Sequence, residues 1–540
     1  MSAETDSLVV GSGASAVNAA YPLVQAGRSV VMLDVGFEDT VYHKLIPPAP
    51  YAEVRRTDPR QHRYLLGDNF EGVPLGKIGA GPQVTPPRRH VLANTETLLP
   101  TVSTDFAAMN SLAIGGLAGA WGAVSFPYLD SELVKSGLDP QELRRHYEIV
   151  SKRIGVCGGR NDDLTALRGQ LDELQLPLEP DGNAELIYSC YQRERSTLNR
   201  ERVYLGSPFM AVLTQPRNGR SPNPYHDMDF WTNEGGSVYR PQLGVPELQK
   251  YPNFSYRRPY LVERFEEKGP GQVSIYAKSL TGHQGEVFQA RRLILAAGAM
   301  NTARLVLRSF RQYNQPLPMT CNETTYIPCL HYAHLGRKPK DRCHSLAQLT
   351  MIYDPTGDQQ HLVQAQLYSY RSMMLFRLLK DLPLPCRETL RILQAIAPSL
   401  VIVVLQHEDS PNAGQTCVLR PSTDGTGDML EIAWRPPPET VRHQRKCEKV
   451  MMRALRQLRC WPAKTLSPGH GTSAHYASQL PMTQEDKPLT TEPSGRLRGT
   501  TAVYVADGAA LAYMPAKGLT FTLMANANRV GSIVLRGLAG

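Results

Sequence analysis

Two short apolar runs near the start of the chain flank a stretch with helical character. The first run ends at Val10 and leads into Gly11-Ser-Gly13-Ala-Ser-Ala16. Val17 to Gln25 is compatible with a helix, and the second apolar run, Ser29 to Leu33, ends at Asp34. Apolar strands of this length on either side of a helix are typical of a βαβ unit. The pattern therefore predicts a buried parallel sheet in this part of the chain.

Periodic segments recur along the rest of the chain, separated by regions without a steady pattern. Ser131 to Gly155 is predicted to be helical, with Asp139 as N-cap and Pro140 at the first helical position. Residues 45–100 are rich in Pro, Gly and Arg and predict loops and lid-like excursions, and residues 160–250 hold many turn dipeptides. Further strands are predicted at Phe254–Val262, Gln272–Ala277, Val287–Leu295 and Ser399–Gln406, and further helices from Asn301 and over Thr440–Leu458.

The first turn carries the fingerprint of a dinucleotide-binding site. Gly11 permits a tight turn, and Gly13 lets the backbone approach a pyrophosphate. Ala14 and Ser15 are also expected to contact the cofactor, and the N-terminus of the helix that follows offers unpaired N–H groups and a positive dipole end to phosphate. Asp34 is placed to accept hydrogen bonds from a ribose 2′-hydroxyl, which disfavours a 2′-phosphorylated cofactor. The fingerprint alone does not distinguish FAD from NAD.

Composition is that of a globular enzyme and excludes several other classes. With 540 residues the chain suggests two or three domains. The formal charge of +9 is modest, and the basic clusters are short and scattered, so no nucleic-acid partner is expected. The most apolar run, Leu390 to Leu405, is too short to span a bilayer. Nine cysteines without a C-x-x-C pair, no signal peptide and a strand starting by residue 7 predict a cytoplasmic protein.

Six potential zinc ligands lie close together in the sequence. They fall within 24 residues, and Cys and His are the side chains that zinc prefers. Their spacing matches no closed structural zinc site, so core cysteines and surface histidines are the favoured interpretation and no metal is expected. The six are Cys321, Cys329, His331, His334, Cys343 and His344.

Four separated segments carry a shared family pattern. They are the fingerprint ending at Asp34; Ile114-Gly-Gly-Leu-Ala-Gly-Ala-Trp-Gly122; Leu295-Ala-Ala-Gly-Ala-Met-Asn-Thr-Ala-Arg-Leu305, preceded by the strand with Val262; and a C-terminal block from His475 to Thr520, followed by a helix over Phe521–Val530. In order and spacing this set resembles the glucose–methanol–choline (GMC) family of FAD-dependent oxidoreductases. Residues 160–250 and 320–465 match only loosely, as expected of a substrate-binding region.

The resemblance implies an α/β fold with two parts. A Rossmann-like FAD-binding domain is expected over residues 1–160, 245–318 and 465–540. A discontinuous α+β substrate-binding domain, built on an antiparallel or mixed sheet, is expected over residues 161–244 and 319–464.

The resemblance also implies FAD as the cofactor, lying across the first βα turn. Some relatives bond FAD to a histidine in the second segment, but Ala120 occupies that place here, and no His or Cys lies between Ile114 and Trp121. Non-covalent binding is therefore expected. Besides the fingerprint residues, the implied contacts are Gly115, Gly116, Trp121 and Gly122 at the flavin, Val262 and Ala297 along the cofactor, Asp507 and Gly508 at the ribityl-phosphate, and Leu519 and Thr520 at the isoalloxazine.

One histidine aligns with the base of the family. Flavin-dependent alcohol oxidation needs a group that takes the hydroxyl proton as hydride moves to flavin N5, and histidine suits this task. His475 stands in the matching position, but the second polar residue of the family, His or Asn, is replaced by Gly518. Three explanations are open: His475 acts without a second polar residue, a neighbour such as His470 or Lys517 takes the place of that residue, or the reaction differs from simple alcohol oxidation. Lys517 is expected to face phosphates or solvent.

The leading hypothesis is an FAD-dependent oxidase or dehydrogenase that acts on an alcohol carbon of a sugar, polyol or other polyhydroxylated metabolite. The alternative is a non-redox lyase that uses His475 as acid–base, with FAD as a structural cofactor. A third is a non-catalytic flavoprotein. The partner is a small hydroxylated molecule, while the electron acceptor (oxygen, a quinone or a carrier protein) and the oligomeric state stay open.

Overall fold

The two N-terminal apolar runs form neighbouring strands of one sheet. They are β1 (Thr5–Val10) and β2 (Val30–Leu33), which pair in parallel, with helix α1 (Ala14–Gln25) between them. The predicted βαβ unit is therefore confirmed. The computed structural model describes residues 5–70, 84–282, 285–337, 340, 342–369, 383–421 and 427–539.

The other elements alternate along the described parts of the chain. The helices are α2 (Tyr51–Thr57), α3 (His62–Leu65), α4 (Thr95–Leu98), α5 (Asp130–Lys135), α6 (Pro140–Ile154), α7 (Gly182–Arg200), α8 (Gly244–Leu248), α9 (Ala299–Ser309), α10 (Cys386–Ile396), α11 (Pro438–Gln457) and α12 (Thr520–Ala539). The strands are β3 (Thr101–Val102), β4 (Val203–Gly206), β5 (Phe254–Arg257), β6 (Tyr260–Gly269), β7 (Gln272–Ser279), β8 (Gly285–Leu295), β9 (Pro316–Pro318), β10 (Thr320–Cys321), β11 (Thr324–His331), β12 (Leu349–Tyr353), β13 (Val363–Ser369), β14 (Leu400–Gln406), β15 (Gln415–Pro421), β16 (Asp428–Trp434), β17 (Cys460–Pro462), β18 (Tyr476–Ala477) and β19 (Val503–Val505).

The largest sheet joins distant parts of the chain. Strands β5, β2, β1, β8 and β19 are parallel, and β6 and β7 extend the sheet as an antiparallel arm from β8. Gly11, Asp34, Ala297 and Asp507 each follow the carboxyl end of one of its parallel strands. Because those ends meet at one edge of a parallel sheet, the sheet gathers these residues into a single region.

A second sheet is antiparallel and has the order β17-β11-β14-β13-β12-β4. The remaining strands form a smaller sheet, β3-β16-β15-β9, and the pair β10–β18. The Rossmann-like sheet together with the antiparallel sheet confirms the expected fold class. The exact domain boundaries stay a prediction.

Helix α12 packs on α1 at a close approach of the two backbones. A Cβ atom added at Gly531 of α12 would lie 2.2 Å from the carbonyl oxygen of Ala19, so a larger residue there must separate the helices. Ala19, Ala20 and Ala527 are buried at this interface. The C-terminal helix is thus packed against the helix of the first βαβ unit.

Three sequence predictions require correction. The predicted helix from residue 131 to 155 is interrupted between α5 and α6, because Gly137 has a positive φ and Asp139 caps α6 by accepting the N–H of Glu142. The single strand expected at residues 254–262 is two strands on either side of Pro259, which has no N–H to donate to a ladder. Residues 45–100 contain short helices as well as loops, and residues 71–83 of this stretch lie outside the described part.

Within the described residues, none of the helices combines the length and apolar character needed to cross a bilayer.

Candidate active site

Two cavities meet at His475. The glycine-lined cavity, about 350 Å³, runs along the carboxyl edge of the parallel strands. The amide-lined cavity, about 190 Å³, lies against the antiparallel sheet and also contains Gly518. The ring of His475 contributes to the walls of both cavities.

The structure brings the expected cofactor residues together from all four sequence segments. Two of them, Trp121 and Gly122, line the amide-lined cavity, where the indole N–H of Trp121 donates to the carbonyl of Tyr239 at 2.7 Å. The others line the glycine-lined cavity: Gly11, Gly13, Ala14, Ser15, Asp34, Gly115, Gly116, Val262, Ala297, Asp507, Gly508, Leu519 and Thr520.

The β1–α1 turn leaves the start of α1 open toward the glycine-lined cavity. Gly11 has a φ of 96°, and a Cβ atom there would lie 2.8 Å from the carbonyl oxygen of Ala296, so the turn requires glycine. No side chain caps α1 at Gly13, and its first turn has no acidic residue. The helix therefore presents backbone N–H groups and a positive dipole end to an anion.

Ser12 connects the fingerprint to the second glycine segment, a role that the sequence reasoning missed. Its hydroxyl donates to the Asp34 carboxylate and accepts the N–H of Gly115 at 3.0 Å. The Tyr256 hydroxyl also donates to Asp34, at 2.9 Å, while burial raises the pKa of Asp34 to about 6. The position of Ser12 between the two fingerprint glycines was the feature of the sequence that could have indicated this role.

The carboxylate of Asp507 is used within the protein. It accepts hydrogen bonds from the N–H of Gly298 at 2.9 Å, the hydroxyl of Thr302 at 2.5 Å and the N–H of Ala509 at 3.0 Å. Burial raises the pKa of Asp507 to about 6. Asp507 thus ties the end of β19 to the start of α9 and shapes the cavity wall.

Asn322 orients the imidazole of His475. The Nδ2 group of Asn322 donates to the carbonyls of His407 at 2.7 Å and Pro515 at 2.9 Å, so its Oδ1 must face His475 as an acceptor. The Nδ1 atom of His475, 3.0 Å from that oxygen, therefore carries the proton. Burial lowers the pKa of His475 to about 4. At neutral pH the ring is uncharged, with the lone pair on Nε2 available as a base.

Gly518 lies directly beside this imidazole. A Cβ atom added at Gly518 would be 4.0 Å from Cε1 of His475 and 3.7 Å from the carbonyl oxygen of Val124. A side chain would therefore fit at this position and would project next to the base. Its absence widens the amide-lined cavity.

The structure places neither His470 nor Lys517 in the two cavities. The Nδ1 atom of His470 lies 2.6 Å from a carboxylate oxygen of Glu323, which raises the pKa of His470. Lys517 is 1 % exposed and its ammonium is 2.6 Å from Glu132, so the expectation that it faces phosphates or solvent is wrong. In the folded chain the Lys517 side chain points toward Glu132 of α5.

The three histidines of the 321–344 segment are buried, so the expectation of surface histidines is wrong. His331 pairs with Asn183, and His334 with the carbonyl of Pro398. Among the described residues, no group of three or more His, Cys, Asp or Glu side chains is arranged to hold a metal ion.

Comparisons with known proteins agree with this architecture. The chain is 23% identical over 559 residues to paromamine 6′-oxidase from Streptomyces fradiae, with 98% of this chain and 91% of that protein covered. No profile of a known protein family matches the chain.

Two solved structures share the fold over nearly the whole chain. Pyridoxine 4-oxidase from Mesorbium loti superposes with a TM-score of 0.58 at 12% identity, covering 98% of this chain and 99% of that one. An FAD-dependent oxidoreductase from Chaetomium thermophilum, in complex with a fragment, superposes with a TM-score of 0.59 at 11% identity, covering 99% of each chain.

The glycine-lined cavity also has the groups that FAD requires. It offers an uncapped helix start for a pyrophosphate and a carboxylate, Asp34, for a ribose. The buried Oδ1 atom of Asn301, also in this wall, has no hydrogen-bond partner among the described residues. The four motif segments, the fold and the full-length similarity to an oxidase all agree with the resemblance of this chain to the GMC family of FAD-dependent oxidoreductases.

Proposed function

We propose that the protein oxidises an alcohol carbon of a sugar, polyol or other polyhydroxylated metabolite, with His475 as the base. The observation that carries this proposal is the neutral, oriented imidazole at the junction of the two cavities. FAD would be held by the β1–α1 turn, Asp34 and the segments at Gly115, Ala297 and Gly508. When bound, it supplies the acceptor for the hydride of the alcohol carbon.

The side chains around His475 support the transfer of the hydroxyl proton. Asn322 holds the proton on Nδ1 of His475, so Nε2 can accept the proton of a substrate hydroxyl. The imidazolium so formed keeps its hydrogen bond to Asn322, which stabilises the charge. The half-buried side chains of Trp121, Val124 and Tyr326 line this cavity and limit the access of water to the proton transfer.

The cofactor-binding and substrate-binding parts of this proposal follow the two larger sheets. We assign residues 1–160, 245–318 and 465–540 to FAD binding and residues 161–244 and 319–464 to substrate binding. The assignment is supported by the cavity walls, because the parallel sheet lines the glycine-lined cavity and the antiparallel sheet lines the amide-lined cavity. None of the nine cysteines, all of which lie in the described part of the chain, forms a disulfide, and this supports a reducing compartment such as the cytoplasm.

Anaerobic titration with candidate alcohols tests the proposed function. A substrate should bleach the bound flavin, and subsequent addition of oxygen, a quinone or a carrier protein identifies the acceptor. If no alcohol bleaches the flavin while dithionite does, alcohol oxidation in this form is wrong. Turnover without bleaching, and with a redox-inert flavin, would instead support the lyase alternative, which the missing side chain at Gly518 motivates.

FAD should be released when the protein is denatured. Ala120 stands where some relatives carry the histidine that bonds the flavin, and it lines the amide-lined cavity. Precipitation with acid should therefore leave a colourless pellet and a yellow supernatant. A pellet that stays yellow after washing in denaturant would show a covalent bond.

The pH profile should report the depressed pKa of His475. The base is the neutral imidazole, so kcat/KM should stay level from about pH 6 to 8 and fall as the pH drops through about 4. The residual turnover of His475→Gln should lose this acid limb. A limb near 6.5, the ordinary histidine value, would contradict a buried, oriented base.

A further inference from the structure

Polar side chains form a ladder across three strands of the antiparallel sheet. Thr324 on β11 is directly opposite Gln406 on β14, and Gln406 is directly opposite Gln364 on β13. Gln366 lies two residues further along β13 and so projects from the same face as Gln364. All four line the amide-lined cavity, and we refer to them as the polar ladder.

Three members of the ladder are buried with unused hydrogen-bonding capacity. Gln364 is 2% exposed, and neither its amide oxygen nor its amide nitrogen has a partner among the described residues. Gln366 is 5% exposed; its oxygen accepts the hydroxyl of Thr350 at 2.7 Å, but its nitrogen has no partner there. The hydroxyl of Thr324, 6% exposed, is also unpartnered. Buried polar groups left unpaired are costly, so their presence at a cavity indicates a polar ligand.

The described lining of the amide-lined cavity offers no fixed charge to a charged ligand. None of its described lining residues is Asp, Glu, Lys or Arg, and burial keeps His475 neutral at pH 7 by lowering its pKa to about 4. An ammonium or carboxylate group placed here would lose its hydration without gaining a partner of opposite charge. The ladder offers both donors and acceptors, and a hydroxyl group can use both.

We propose that the polar ladder binds the hydroxyl groups of an uncharged sugar or polyol and selects against substrates that carry an amine or a carboxylate. The inference rests on the proposed function, because it deepens the assignment of the substrate to this cavity. Gln364 contributes the most, since both of its amide atoms are free to bind. It is a specificity-determining residue, while His475 remains the base.

A matched panel of compounds tests the charge selectivity. D-glucose and myo-inositol are the neutral members, D-glucosamine the cationic one and D-glucuronate the anionic one. Binding to the FAD-loaded enzyme is measured by calorimetry, and reduction by anaerobic bleaching. Preferential binding of a neutral member supports the ladder. Preference for a charged member, or binding of no member, overturns it. If a neutral member binds but does not reduce the flavin, the result supports the role of the polar ladder in binding and contradicts the proposed oxidation.

A leucine substitution separates binding from folding. Gln364→Leu keeps the size of the side chain and removes unpaired polar atoms, so its Tm should equal or exceed that of the unaltered enzyme. The Kd and KM for the neutral substrate should nevertheless rise about tenfold or more, with kcat less affected. Gln272→Leu, an exposed strand position in the other large sheet, is the control and should change neither constant. A lower Tm with unchanged binding in Gln364→Leu would show a structural role and overturn the proposal.

Discussion

Replacing His475 by alanine should reduce kcat by about 10²- to 10⁴-fold, the contribution typical of a general base. The imidazole is oriented by Asn322 and lines both cavities, so its removal takes away the proton acceptor. FAD content should remain that of the unaltered enzyme, because the pyrophosphate and ribose sites lie in other segments. Stopped-flow measurement of anaerobic flavin reduction separates this chemical step from product release.

His470→Ala is the matched comparison. This histidine comes from the same stretch of chain but is paired with Glu323 outside the two cavities. We expect its effect on flavin reduction to be far smaller than that of His475→Ala. Equal rates of flavin reduction in the two variants would refute the assignment of His475 as the base.

The Lys517→Met variant should be strongly destabilised, by about 3–5 kcal/mol, because it leaves the buried carboxylate of Glu132 without its partner. The side chains of Lys517 and Glu132 are 1% and 4% exposed, and burial lowers the pKa of Lys517. Differential scanning fluorimetry of the FAD-loaded enzyme should show a clear fall in Tm. Turnover at low temperature, where the variant is still folded, should be retained.

A second substitution should recover most of this loss. Glu132 also accepts the N–H of Leu129 at 2.7 Å as part of the cap of α5, so Glu132→Gln keeps that acceptor and removes the charge. The Lys517→Met/Glu132→Gln double variant should therefore melt above Lys517→Met alone. A single variant with unchanged Tm and abolished turnover would instead support the open alternative that Lys517 acts in catalysis.

Local sequence was sufficient to predict the elements that build the cofactor side of the site. The fingerprint depends on contacts within about 30 residues: a strand, a turn that needs glycine, a helix start and a second strand. Amphipathic periodicity likewise predicted α11 within two residues of its ends. The single elements predicted across Gly137 and Pro259 were wrong because each of these residues interrupts regular backbone hydrogen bonding, and both are stop signals visible in the sequence.

The surroundings of His475 could not be derived in the same way. Asn322 precedes it by 153 residues, and two backbone carbonyls from other segments decide which of its atoms faces the ring. Lys517 is adjacent to Gly518 in sequence, yet its side chain is directed to Glu132 rather than to the cavity. Neighbours in sequence therefore do not predict neighbours in the site.

By itself, the sequence determined a βαβ unit with a dinucleotide fingerprint, the order of the four motif segments, and a histidine with no polar partner at Gly518. Each of these depends on the types of residue present and on their spacing along the chain. The tertiary structure alone decided the tautomer of that histidine and the polar ladder that lines the same cavity. Both depend on contacts between segments that are far apart in the chain. Two backbone carbonyls orient Asn322 toward the ring, and the register of the folded sheet sets Thr324, Gln406 and Gln364 side by side.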